Sequence, residues 1–362
     1  MAQAWRARGR PGRRRVKPAR ASGLNPALAL ALCVAAGALM QAVRAPLPWM
    51  IGPLLAMALC NFGGARLRAP LPARPVGQVI IGVALGLYFT PAVAQEVLSY
   101  WPLLIAAALL AMLLAWACAW LLAAVGGVDR VTAYFASVPG GAAEMAVLGE
   151  RYGARVDRVA LAQSLRILTV VVVVPFALVW SGARGADSYL PGAALAFDAG
   201  GLAALLAVAA AAGGLLWRAR LPNPFMFGPL VATIALTVAG QHLSSVPGWL
   251  SATGQLLLGC ALGSRFERAY LSSMARYVGA VFLSIVLALA LAAGGALTLA
   301  WLSGLPVATL VLATAPGGIA EMCVMAKVLQ LGVPLVTAAH VTRVIVLLTT
   351  TAPVFRLVRR CL

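Results

Sequence analysis

Two acidic residues fall inside the long apolar runs of this sequence, Glu144 and Glu321. They occur in Pro139-Gly140-Gly141-Ala142-Ala143-Glu144-Met145 and in Pro316-Gly317-Gly318-Ile319-Ala320-Glu321-Met322. Placing a central carboxylate among lipid tails costs about 2.5–3.5 kcal/mol, so such a group faces protein or water. Arg166 and Arg343 are the basic residues within apolar runs, and Gln163 and His340 stand three positions before them. On a helix that spacing puts each pair on one face. Pro-Gly-Gly breaks a helix, because proline removes a backbone donor and glycine is a weak helix former. The break frees N–H groups at the start of the second half-helix, where anions are favoured. Gly140-Gly141 and Gly317-Gly318 also offer backbone angles closed to other residues and room for a solute to come close.

These types and spacings leave several chemistries open. The glutamates complement the half-helix dipoles, or they carry a proton or cation. The arginines neutralise the glutamates as internal ion pairs, or they clamp an anion beside the half-helix N-termini. The candidate substrate- or ion-binding set is Gly140, Gly141, Glu144, Gln163, Arg166, Gly317, Gly318, Glu321, His340 and Arg343. No cofactor is expected, since no Walker A motif implies ATP. Nor is a metal expected. The six cysteines form no CxxC and have no histidine at ligand spacing, and they read as small packing residues.

The elements that must position these residues come from a duplication. Pro48-Trp49-Met50-Ile51-Gly52-Pro53-Leu54 returns as Pro224-Phe225-Met226-Phe227-Gly228-Pro229-Leu230. Gly77-Gln78 with Gly82, Leu85, Gly86 and Phe89 returns as Gly254-Gln255 with Gly259, Leu262, Gly263 and Phe266. The Pro-Gly-Gly blocks and Arg166/Arg343 keep the same offset of about 177 positions. The chain thus divides into a basic tail (1–23), repeat 1 (24–182), a linker (183–199) and repeat 2 (200–362). The glycine blocks, with small residues four apart, predict close helix packing, and their Gln amides are suited to line a polar path. The Gly-Pro-Leu blocks read as kinked span starts.

Of 362 residues, 62% are apolar and 10% charged, with a mean hydropathy of +0.95. That excludes a soluble enzyme, a disordered chain and a disulfide scaffold, and leaves a helical membrane protein. Each repeat carries six apolar segments: about 26–43, 47–62, 76–91, 98–125, 131–150 and 159–181, then 201–217, 224–240, 253–264, 277–303, 306–328 and 334–355. Pro26–Val43 follows a basic stretch in the manner of a signal peptide, but its counterpart at Ala203–Trp217 makes it the first span.

Lys and Arg prefer the cytoplasmic side. Eighteen basic residues lie outside the tail and apart from Arg166 and Arg343. If the fifth segment of each repeat re-enters, fifteen of them share the side of the tail, leaving Arg44, Arg184 and Lys327 opposite. The expectation is ten spans in an all-α protein, with five spans and one broken or re-entrant helix per repeat. Five is odd, so the second repeat is upside down relative to the first. Broken helices at corresponding places in two such halves point to a transporter site. A polybasic tail next to a membrane meets anionic lipid more readily than nucleic acid.

The twice-occurring PGGxAEM, GPL and GQ…G…LG blocks make the chain, over about residues 24–360, resemble the AbrB membrane protein family with its tandem AbrB duplication. This family is distinct from the soluble DNA-binding AbrB fold. The charge pattern puts both termini in the cytoplasm, and the resemblance implies a bacterial inner-membrane protein. It carries two labels, regulator of gene expression and ammonia monooxygenase. An oxygenase needs several histidines or carboxylates converging on one metal, and His242 and His340 are the only histidines. The residues instead suit a non-enzymatic carrier. It would move a small anionic or zwitterionic solute by alternating access in the lipid bilayer, alone or as a homo-oligomer. The rival readings are a membrane regulator without transport and, last, an oxygenase.

Overall fold

The computed structural model describes residues 26–183, 185, 196–266 and 274–358. The basic tail, most of the expected linker, Arg184, Arg268 and the C-terminal residues from 359 on lie outside the described residues.

The described chain is all-helical: α1 (Pro26–Ala42), α2 (Pro48–Phe62), α3 (Ala73–Gly86), α4 (Pro91–Ser99), α5 (Trp101–Val125), α6 (Arg130–Ser137), α7 (Ala142–Arg151), α8 (Val156–Trp180), α9 (Ala199–Arg218), α10 (Pro224–Val238), α11 (Gly248–Gly263), α12 (Ala275–Ser303), α13 (Val307–Thr314), α14 (Ile319–Leu329) and α15 (Val333–Val358). Prolines open several helices, where a missing N–H costs nothing. The starts of α2 and α10 repeat in detail: Leu47 and Asn223 both take left-handed backbone angles just before a proline at the first helical position. Fold and composition together define a multi-pass membrane protein in a lipid bilayer.

Five helices are long and apolar enough to cross a bilayer: α5, α8, α9, α12 and α15. A sixth span results if α3 and α4, bent by 90° at the break between them, count as one. Ten spans were expected. The difference lies in length: α1, α2, α3, α10 and α11 have 14 to 17 residues. At about 1.5 Å per residue they fall short of a hydrocarbon core of roughly 30 Å. The expected segment 98–125 also divides, the residues before Tyr100 forming α4 with its Thr90 N-cap. Both fifth segments are broken as expected, into α6 with α7 and α13 with α14.

Packing runs across the two repeats as well as within them. α2 packs on α11, α3 on α10, and α5 on both α12 and α15. Helices α1–α3 and α9–α11 form one set, and α5–α8 with α12–α15 form another. The glycine blocks build the first set. A methyl group on Gly263 would stand 2.5 Å from the Leu54 carbonyl oxygen, and one on its repeat equivalent Gly86 2.5 Å from Thr233 Cβ. Both positions exclude any side chain, as close helix packing requires. Cys33, Cys60, Cys118, Cys260 and Cys323 are free thiols. Cys33 and Cys260 meet in the apolar cluster that joins α1 to α11.

Candidate functional site: two broken helices at one cavity

Each break in the second set has the same internal chemistry. The last turn of α6 leaves carbonyls without helical partners. Gln163 Nε2 donates to the carbonyls of Phe135, Ala136 and Val138 at 3.0, 3.2 and 2.7 Å. Arg166 donates to Val138 at 3.1 Å and to Gly140 at 3.3 Å. In the other repeat Arg343 donates to Ala315 at 2.6 Å and to Gly317 at 2.7 Å. His340 Nε2 lies 2.9 Å from the Leu312 carbonyl. Donor and acceptor numbers in the two repeats differ by 177 in every one of the shared bonds, so the duplication extends to individual hydrogen bonds.

The N–H side of each break is met by a glutamate. Gly141 and Gly318 are the N-caps, which puts Glu144 and Glu321 at the third helical position. A glutamate there reaches back over the helix start. Both carboxylates lie where a methyl group on Gly141 or Gly318 would otherwise go. These glycines were expected to supply unusual backbone angles. Instead they have φ of −67° and −78° with extended ψ, open to any residue. What they provide is room for the glutamate head.

Internal pairing of the glutamates with Arg166 or Arg343 is not what the structure shows. Among the described residues the only ion pair is Arg155–Asp157, at 3.7 Å. The charges that act on Glu321 are Arg74 and Arg265, and Arg265 also feels Glu144. Arg166 and Arg343 are 6% and 2% exposed, and each keeps a buried Nε without a hydrogen-bond partner.

A cavity of about 70 Å³ joins these parts at the seam between the two helix sets. Gly140, Gly141, Gly317, Gly318, Glu321, Arg166 and Arg343 line it from the second set. Arg74, Gln78, Asn223 and Arg265 line it from the first. Glu144 borders an adjoining smaller cavity beside Gly140, Gly141 and Asn223. Gln163 and His340 line neither and serve the backbone. The expected set is thus brought together, but it splits into residues that hold the breaks and residues that face the cavity.

Arg74, Asn223 and Arg265 are the site residues that sequence reasoning missed. Arg74 and Arg265 read as loop charges, and the Gly-Pro-Leu blocks as purely architectural. The available signal was their closeness to the glycine blocks: Arg74 precedes Gly77 by three residues, and Arg265 follows Gly263 by two. Arg74 Nη2 reaches the Asn223 side-chain oxygen at 3.5 Å, linking α3 to the start of α10.

The class so defined is a multi-pass helical membrane protein in which two equivalent broken helices meet at one cation-rich cavity. The family model described as transition state regulatory protein AbrB matches residues 49–359, and the chain belongs to that AbrB family. It is similar to the Escherichia coli K12 protein named "Putative regulator AbrB", with 29% identity over 324 residues, 88% of this chain and 91% of that protein. It is also similar to the Bacillus subtilis 168 protein named "Uncharacterized protein YhjN", with 27% identity over 297 residues, 78% and 77% of the two chains. No solved structure matches.

Proposed function

We propose that this protein is a carrier that moves a small anion or zwitterion across the bacterial inner membrane by shifting one helix set against the other. One observation carries the reading. The cavity sits on the seam between the sets, with both breaks on one wall and Arg74, Asn223 and Arg265 on the other. Half-helix starts and guanidinium groups are the usual protein partners of carboxylates and phosphates. The guanidinium groups of Arg166 and Arg343 belong to the lining of the same cavity.

Inverted topology of the two repeats, with both termini cytoplasmic, fits this reading. It places Arg74 and Arg265 on the cytoplasmic side, so the cavity faces inward. The glutamates sit as dipole partners in this state and would take up protons or cations in another. The protein is a carrier and not an enzyme on this reading. The word regulator in the Escherichia coli relative's name supports the second reading, a membrane regulator without transport.

The test is a melting series of the purified protein in detergent with acetate, phosphate, glutamate and succinate. A bound anion at a hundred times its Kd should stabilise the fold by about 2.7 kcal/mol. An anion that binds is then offered, labelled, to proteoliposomes for counterflow. Binding without counterflow favours the regulator. Absence of binding, or binding untouched by Arg265→Gln, removes the carrier reading.

A further inference from the structure

Projecting the cavity wall through the sequence repeat gives a second, closed counterpart. Arg74 maps onto Ser251, Asn223 onto Leu47 and Arg265 onto Tyr88. The first three are half-buried and line the cavity. Their equivalents are 7%, 0% and 7% exposed. Leu47 and Tyr88 sit in the main apolar core, together with Ile81 and Leu85, the equivalents of the cavity residues Leu258 and Leu262.

Lys327 stands at this closed place. It is on α14, which packs against α3, and its Nζ donates to Ser251 Oγ at 3.4 Å and lies 5.9 Å from the centre of the Tyr88 ring. An ammonium held over an aromatic face and against a hydroxyl joins the broken-helix set to the first set. The charge pattern puts Lys327 on the membrane side opposite Arg74 and Arg265. Lys327 is thus well placed to hold that side shut.

We propose that Tyr88, Ser251 and Lys327 close a second entrance to the cavity, related to the observed one by the repeat, and that Lys327 is its latch. This rests on the carrier reading for its purpose, but its geometry can be tested without a known solute. In the other access state the latch opens, Leu47 and Leu85 become wet, and the Arg74–Asn223–Arg265 mouth packs together.

The experiment uses the full chain without native cysteines, in right-side-out and inverted vesicles, with a membrane-impermeant methanethiosulfonate reagent. Asn223→Cys reports the observed mouth, and Leu47→Cys, with Leu85→Cys as a second reporter, reports the closed one. Asn223→Cys should react from one side of the membrane and the Leu47 and Leu85 reporters, slowly, from the other. Losing a latch of this kind is worth about 1 kcal/mol, so Lys327→Met should speed labelling of the closed mouth about fivefold and slow that of Asn223→Cys. Lys327→Arg should restore the original rates. Reaction of both mouths from the same side, or rates indifferent to Lys327→Met, would overturn the proposal. Either result leaves the anion-binding test of the carrier reading standing, and failure of that test leaves the labelling pattern interpretable.

Discussion

Arg166 and Arg343 are repeat equivalents, yet removing them should not cost the same. Arg343→Met deprives two buried carbonyls, Ala315 and Gly317, of their only side-chain donor among the described bonds. At about 1–3 kcal/mol for each carbonyl left unsatisfied, the loss is about 2–6 kcal/mol. Arg166→Met leaves the Val138 carbonyl with its 2.7 Å bond from Gln163. Only the Gly140 carbonyl loses its donor, and that bond is longer, at 3.3 Å, and only partly buried. The cost there is about 1–3 kcal/mol, toward the lower end. Relief from burying a cation offsets part of both losses, and similarly, because both guanidiniums are almost wholly buried. The difference between the variants therefore survives. The assay is denaturant unfolding of each purified variant, followed by helical circular dichroism. Equal destabilisation, or a larger loss for Arg166→Met, would refute the account. A Glu321→Gln change that restored the Arg343→Met protein would also refute it, because it would mean an ion pair and not a carbonyl cap.

Gly318→Ala should destabilise the protein because its methyl group displaces the Glu321 carboxylate, and adding Glu321→Ala should recover part of the loss, so melting temperatures of the single and double variants will not add. Gly141→Ala should cost less, since Glu144 is half-buried and can swing away. Arg265→Gln should lower affinity for the best-binding anion about tenfold, roughly 1.4 kcal/mol, while leaving the melting temperature of the free protein nearly unchanged, as titration by calorimetry would show. For topology, cysteines at Arg158 and Arg276 should label from the cytoplasmic side and one at His242 from the other. His242 is exposed, whereas neighbouring Ser244 is 1% exposed and bonded to the Asp198 backbone. Labelling of 158 from the outside, with 242 from the cytoplasmic side, would remove the inverted arrangement.

The duplication, the membrane class, the broken helices and the glycine, glutamate and arginine side of the cavity could be read from residue types and spacing, because each follows from local chemistry. Proline with two glycines cannot continue a helix, and an acid in an apolar run must find a protein or water surface. Three-dimensional partnership could not be read. The spacing of Gln163 to Arg166 and of His340 to Arg343 gives a shared helix face. It does not say that this face meets carbonyls instead of glutamates. Arg74 and Arg265 looked like loop charges because sequence shows where a helix ends, not which other helix ends beside it. Span counting failed in the same way. An apolar run does not say whether its helix is long enough to cross: α1, α2, α3, α10 and α11 stop at 14 to 17 residues, whereas α9 and α12 extend past their runs.

The two breaks show how irregular backbone is served inside a largely apolar chain. Lipid offers no hydrogen bonds, so exposed N–H and C=O groups there must be met by protein or by cavity water. In each repeat the neighbouring long helix supplies donors for the carbonyl end, through Gln163 and Arg166 or through His340 and Arg343. The N–H end is faced by the half-helix's own carboxylate, that of Glu144 or Glu321. The side chains that serve each break thus come from its own helix set. On the proposed carrier reading, this lets the second set move as a unit. It also fixes where a ligand finds free binding capacity. Both terminal nitrogens of Arg166 and of Arg343 are engaged with carbonyls, so on the proposed carrier reading Arg74, Asn223 and Arg265 on the opposite wall set selectivity. Variants of those three should therefore alter which anion binds, whereas variants of the break should alter whether the protein holds together.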